Sequence, residues 1–254
     1  MSARAKKELG QHFLVDENIL RVIERLAELA ASDVVLEIGP GRGILTRFLA
    51  DRVAFVHAVE IDRSLEPYLP ASENVRLHWG DALALDLAAL APPPDKLVAN
   101  LPYNVATPIV LESLDGLPQI ERWCVMVQRE VADRFFAKPR TKAYGAVSVL
   151  VQLATERTGW HPVSRDVFRP RPNVDSALVA FTRTQLPSHW AGVKVVVEGG
   201  FAHRRKTLPN SLALSGVTSR ERVDDALRAL GREPATRAEA LEPGEFVALA
   251  EQLA

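Results

Sequence analysis

The stretch "VANLPYN", Val98 to Asn104, ends a short apolar run with an amide, a leucine, a proline and an aromatic ring. Those types can act together on a flat base. The Asn100 side-chain oxygen and a neighbouring main-chain carbonyl can each accept a hydrogen bond from an exocyclic NH₂ group, while Tyr103 offers a ring face for stacking. Leu101 and Pro102 complete the candidate catalytic group. An NH₂ nitrogen conjugated with a ring is a poor nucleophile. Two aimed acceptors favour its pyramidal form as it attacks an S-methyl sulfonium in line, and its proton becomes acidic only once the nitrogen is cationic. The group therefore suits methylation of an amine, with no general base needed before attack.

Other residues supply a place for the methyl donor. In "EIGPGRGIL", Gly39, Gly41 and Gly43 follow one apolar run and open a helical pattern, so a ligand can approach the backbone closely at the positive helix end. The spacing is G-x-G-x-G, which departs from the G-x-G-x-x-G of dinucleotide sites. Glu60 ends the next apolar run, nineteen residues after Gly41, where a carboxylate can accept from both hydroxyls of a ribose. Asp81, in "WGDAL", is placed to meet an adenine amino group. Each residue also has a plainer role open to it: Asn100 as a turn residue, Glu60 as a turn cap, Asp81 as the N-cap of "ALALDLAAL", Phe168 as core. Matched groups on successive strand ends favour the ligand reading. His57, His78 and His161 have no metal-ligand spacing, nothing brings Asp62 and Asp175 together, and no metal is expected.

These groups need a parallel sheet to carry them. Expected strands are "VVLEI" (34–38), "AFVHAVE" (54–60), "VRLHW" (75–79), "KLVAN" (96–100) and "WCVMVQ" (123–128), with "ERTGWHPV" and "ALVAFT" as a closing antiparallel pair. Leu45, Phe48 and Leu49 fall at i, i+3 and i+4, as a helix covering the sheet requires. Beyond Thr184 the pattern changes. "QLPSHWAG" breaks the sheet, and Arg220 to Leu253 reads as short amphipathic helices. "VKVVVEGGF" is ambiguous between strand and helix.

Composition sets the outer limits. The chain has 254 residues, 47% hydrophobic and 25% charged, room for one large α/β domain and a smaller appendage. One cysteine, no signal-peptide core and no run of about 18 apolar residues lead to the expectation of a cytoplasmic protein without a membrane span. The net charge of −1 means that binding a polyanion would rest on local clusters, and "RFFAKPRTK" (134–142) and "HRRK" (203–206) are such clusters. An arginine-rich coding bias would produce them as well.

Taken together, "GQHFL", "LEIGPGRGILT", "VEID", "GDAL", "NLPYN", "PIV", "VFRPRPNVDSALV" and "RRKTLPNSL" resemble the small-subunit ribosomal RNA adenine N6-dimethyltransferases of the KsgA type, in order from about Lys7 to Leu214. The resemblance implies a class I, Rossmann-like methyltransferase domain over 1–184 with a mostly parallel seven-stranded sheet, and a small all-α domain over 185–254. It implies S-adenosylmethionine as cofactor, held by Gln11, His12, Leu14, Gly39, Gly41, Glu60, Ile61, Asp81, Ala82 and Asn100. It implies as substrate two adjacent adenosines in the 3′-terminal hairpin loop of small-subunit rRNA, within an immature 30S particle, met by a monomeric enzyme. Tyr103 and Phe168 would sandwich the target base, and Arg204, Arg205 and Lys206 would contact RNA. Glu8 stands where a basic or aromatic residue is usual, His12 replaces a frequent asparagine, and Pro209 replaces an arginine; the first and last bear on RNA contacts. A large-subunit methylase of the macrolide-resistance type and a non-catalytic ribosome-assembly factor are the competing readings.

Overall fold

A computed structural model describes Lys6 and residues 9–254, so Glu8 lies outside the described residues. The chain forms two compact units, one comprising its described residues up to Ala132 together with Glu156–Arg183, the other Asp133–Thr155 with Thr184–Ala254. The division differs from the single boundary expected after Thr184. Asp133–Thr155 joins the helical unit because the apolar face of its helix, with Val149, Leu150 and Val151 buried, packs among the tail helices.

In the first unit the strands are β1 (Phe13–Leu14), β2 (Val34–Ile38), β3 (Phe55–Glu60), β4 (Val75–Trp79), β5 (Lys96–Asn100), β6 (Arg122–Gln128), β7 (Thr155–Val163), β8 (Phe168–Arg169) and β9 (Ser176–Arg183). Seven form one sheet in the order β4-β3-β2-β5-β6-β9-β7, and β1 pairs antiparallel with β8. Strands β2 to β6 run parallel, whereas β9 lies antiparallel to β6. The inner strands are covered on both faces, which is why β6 reads as an unbroken apolar run from Trp123 to Val127.

Helix α1 (Glu17–Ala27) starts at Asp16, whose side chain accepts from the Asn18 N–H. It buries Ile19, Leu20, Ile23 and Ala27 in the core that also holds Val35, Val98, Cys124 and Met126. Helix α2 (Ile44–Ala50) buries Leu45 and Leu49, with Phe48 packed at the margin, as its spacing predicts. Strand order reverses between β2 and β5, since the chain moves outward through β3 and β4 and then returns to the other side of β2. In open α/β sheets the carboxyl ends of strands at such a switch point border a ligand crevice. Helix α3 (Ala106–Gly116) follows β5 directly.

Helix α4 (Arg129–Phe135) passes into the second unit, which holds α5 (Ala146–Ala154), α6 (Trp190–Ala202), α7 (Leu208–Leu214), α8 (Arg220–Ala229) and α9 (Pro243–Leu253). The ambiguous "VKVVVEGGF" is helical: Val193, Val196, Val197 and Phe201 form one buried stripe of α6. Packing overrides the modest helix propensity of valine there. Pro209 is buried in the first turn of α7, where a missing N–H breaks no helical bond.

Candidate functional site

The crevice at the switch point lies wholly in the first unit. Its floor is the turn after β2, its sides the ends of β3 and β5, and its rim the segment 9–14. Gly39 and Gly41 have φ of 74° and 58°. A Cβ at Gly39 would stand 3.1 Å from Pro102 Cγ, and one at Gly41 would stand 2.9 Å from Phe13 Cδ1. Any larger residue would therefore be strained and would close the cradle.

Glu60 is 5% exposed. Its two oxygens accept from the Gly41 N–H at 3.2 Å and the Asp62 N–H at 2.9 Å, which ties the β3 end to the glycine turn. Burial raises its pKa above the ordinary carboxylate value. Each oxygen retains acceptor capacity for a further donor. Ile61, 53% exposed, and Ala82 line an adjoining recess with Asp81. Asp81 is exposed and accepts from the Leu83 N–H at 3.0 Å, so it closes its own turn as well as bordering the recess.

Asn100 donates from Nδ2 to the His12 carbonyl at 3.2 Å. That bond assigns the amide's orientation and leaves Oδ1 as the acceptor. The His12 ring lies 5.3 Å from the Tyr103 ring and bonds the Pro170 carbonyl through Nδ1 at 2.8 Å. The Tyr103 hydroxyl bonds Ser176 Oγ at 2.6 Å, fixing the ring beside the crevice.

One expected contact needs revision. Phe168 is 0% exposed and belongs to the α1 core with Leu14 and Ile23, so it presents no open face to a base. Its short pairing with Leu14 on β1 turns the ring inward. Leu14 lines the crevice but is itself only 5% exposed, with its side chain in that core. Gln11 also borders the crevice, yet its amide is engaged structurally: Oε1 accepts from the Lys6 N–H at 2.8 Å, and Nε2 donates to Asp62 at 3.0 Å.

Asp62 and Glu37 are the residues the sequence reading passed over. Asp62 is buried and would be raised by that burial alone, but Lys6 Nζ at 2.7 Å, Ser64 Oγ at 2.6 Å and Gln11 hold its carboxyl well below the usual range. This clamp docks Lys6 and Gln11 onto the β3 end. Glu37 reads as filler in "VVLEI", but it borders the crevice, is 1% exposed, and burial pushes its carboxyl up to about 8. Its Oε2 has no hydrogen-bond partner among the described residues. No periodicity marks an acid inside an apolar strand as functional; the glycine turn two residues later was the available signal.

Arg204, Arg205 and Lys206 belong to the second unit, in the turn between α6 and α7, and all are exposed. Arg204 donates to the Tyr144 carbonyl at 2.8 Å. Tyr144 in turn donates to the Leu241 carbonyl at 2.8 Å, so "HRRK" and the segment after "RFFAKPRTK" are fixed in one unit.

The glycine cradle, the orphaned Glu37 oxygen, the buried Glu60 acceptor and the open apolar recess at Ile61 fit an adenosyl ligand carrying a cationic tail. With a switch-point sheet of this order, they define a class I methyltransferase. A sequence profile described as ribosomal RNA adenine dimethylase matches residues 2–254, and the chain belongs to that family. It is 51% identical over 251 residues to a ribosomal RNA small subunit methyltransferase A of Rubrobacter xylanophilus, covering 97% of this chain and 94% of the relative. A protein of the same name from Kineococcus radiotolerans is 44% identical over 260 residues, covering 98% and 86%. Among solved structures, a dimethyladenosine transferase from Plasmodium falciparum superposes with a TM-score of 0.78 at 24% identity, covering 94% and 96%, a likeness of fold. The 23S rRNA methyltransferase ErmE superposes with a TM-score of 0.66 at 30% identity, covering 95% and 99%. Among the described residues no helix is long and apolar enough to cross a membrane.

Proposed function

We propose that this protein transfers methyl groups from S-adenosylmethionine to N6 of two adjacent adenosines in the 3′-terminal hairpin loop of small-subunit rRNA, giving N6,N6-dimethyladenosine. The observation that carries the chemistry is the amide of Asn100, whose nitrogen is committed to the His12 carbonyl so that its oxygen is left to accept at the β5 end. S-Adenosylmethionine, when bound, supplies a methyl group on a sulfonium sulfur. Glu60 would hold the ribose hydroxyls, Asp81, Ile61 and Ala82 the adenine, and the Gly39–Gly41 backbone with Glu37 the amino-acid portion. Asn100 Oδ1 and the Leu101 carbonyl accept from the target NH₂, and these bonds strengthen as N6 becomes cationic. Tyr103, anchored on Ser176, supports one face of the base. The proton is lost to water after transfer.

The small-subunit substrate is favoured over a large-subunit one by the greater likeness to the relatives named for the small subunit, 51% identity against 30% for ErmE. The proposed setting is an immature 30S particle in the cytoplasm, met by a monomer whose tail cations contact RNA. We place the functional boundary at residue 184, with the segment Asp133–Thr155 serving the tail. Incubation with tritiated S-adenosylmethionine and undermethylated 30S particles should place label in the small subunit's 3′ hairpin. Binding without label would replace this reading with that of an assembly factor.

A further inference from the structure

Trp160 is the one aromatic among the exposed large apolar side chains of the described residues, 37% exposed on the outermost strand, β7. The Arg129 guanidinium lies over its ring, 5.8 Å from the centroid. The backbone of Arg129 is also close to the target site. On the β6–β9 ladder Gln128 pairs with Ser176, the residue that anchors Tyr103, and the next rung is the bond from the Arg129 N–H to the Asp175 carbonyl at 3.0 Å. One residue along a strand is about 3.3 Å. Arg129 therefore begins where the support of the target base ends. Val174, 46% exposed, and Arg165, paired with Asp175 at 3.5 Å, flank the Asp175 end of that rung.

A half-open indole capped on one face by a guanidinium can stack an unpaired base on its other face while the guanidinium reaches the adjoining phosphate. We infer that Trp160 with Arg129 forms a second stacking ledge that holds a nucleotide flanking the target adenosine in the single-stranded loop. The inference rests on the proposed RNA substrate and adds to it the place of a neighbouring base. Because the target must be splayed from its neighbours to reach Asn100, a ledge joined through Arg129 to the strand end beside Ser176 stabilises the separated strand and helps to commit the RNA to the site. Trp160 is thus a substrate-binding residue, not a catalytic one.

The test is initial-rate methyl transfer to undermethylated 30S particles by the wild type and by Trp160→Leu and Trp160→Phe. Leucine keeps apolar bulk without a stacking face; phenylalanine keeps a ring. In Trp160→Leu the KM for particles should rise roughly tenfold, equivalent to about 1.4 kcal/mol, with kcat within about twofold. Trp160→Phe should recover most of the loss. The Kd for S-adenosylmethionine and the melting temperature should match the wild type in both, and the salt dependence of particle binding should not change because no charge is removed. Equal KM values for the leucine and phenylalanine variants beside an active wild type would overturn the ledge alone. A wild type that neither binds nor methylates the particles would overturn the RNA reading and the ledge with it.

Discussion

Glu60→Gln is the most informative single change at the cofactor site. The wild-type carboxylate accepts from two backbone donors, the Asp62 N–H at 2.9 Å and the Gly41 N–H at 3.2 Å, and has acceptor capacity left on each oxygen. A glutamine can satisfy only one of those donors. If its oxygen keeps the shorter bond to Asp62, its NH₂ faces the Gly41 N–H, and the ribose loses one of its two acceptors. A buried donor left unsatisfied costs about 1–3 kcal/mol, so the Kd for S-adenosylmethionine should rise roughly ten- to hundredfold. Acidity supplies an independent check. Burial, only partly offset by the backbone N–H bonds, raises the Glu60 pKa, and the proposed ribose contact would use the ionised form. Wild-type affinity should fall as pH drops through that raised pKa, whereas the variant should show no such fall from this group. Calorimetric titration between pH 5 and pH 8, with melting curves to confirm folding, measures both effects. A folded glutamine variant with wild-type Kd and wild-type pH dependence would refute the placement of the ribose on Glu60.

Other changes separate chemistry, stability and RNA contact. Asn100→Ala should lower single-turnover methyl transfer by roughly 10²-fold or more while cofactor Kd changes far less, because the lost acceptor matters most as N6 becomes cationic; an unchanged transfer rate would exclude the amide. Glu37→Gln should alter the pH profile of apo-protein stability. A carboxyl at 4.5 unfolded and about 8 folded binds more protons in the folded state, so wild-type stability falls as pH rises between those values and then levels. By pH 7 the loss is on the order of 3 kcal/mol, and denaturant melts of the glutamine variant should lack it. Replacing Arg204, Arg205 and Lys206 together by Ala should make the slope of log K against log salt for particle binding shallower by about 2 to 3. The same change at Arg228, Arg232 and Arg237 should leave that slope nearly intact, since Arg228 pairs with Asp225 at 2.7 Å and Arg232 with Glu245 at 2.6 Å. Equal effects of the two triples would mean a diffuse positive surface.

The strands were legible because burial on both faces of a parallel sheet writes itself as short apolar runs with turn residues at their ends. β2, β4 and β5 occupy the expected residues, and the crevice groups follow because each strand end carries a residue type that a packed strand would not use. What the sequence concealed depends on contacts distant in the chain. α6 is helical because Val193, Val197 and Phe201 meet other tail helices, which no local propensity reveals. Phe168 and Tyr103 are both aromatics within two residues of a proline, yet Phe168 turns into the α1 core through its pairing with Leu14, while Tyr103 is held at the crevice by Ser176. The partners of Asp62, Lys6 and Gln11, lie more than fifty residues away in the chain, where no local pattern points to them. Asp133–Thr155 carries the same apolar pattern whichever unit it packs in, so the sequence offered no means of assigning it to the tail.

The central claim is that Asn100 directs complete dimethylation of two adjacent adenosines in small-subunit rRNA. Mass spectrometry of nuclease fragments from undermethylated 30S particles, treated with the wild type or with Asn100→Ala, tests it most directly. The account predicts a 3′-hairpin fragment heavier by four methyl groups, two on each of two neighbouring adenosines, with the wild type, and an almost unmodified fragment with the variant at equal protein and time. Methyl groups confined to large-subunit RNA, or the same four methyl groups appearing at the wild-type rate without the Asn100 amide, would contradict it.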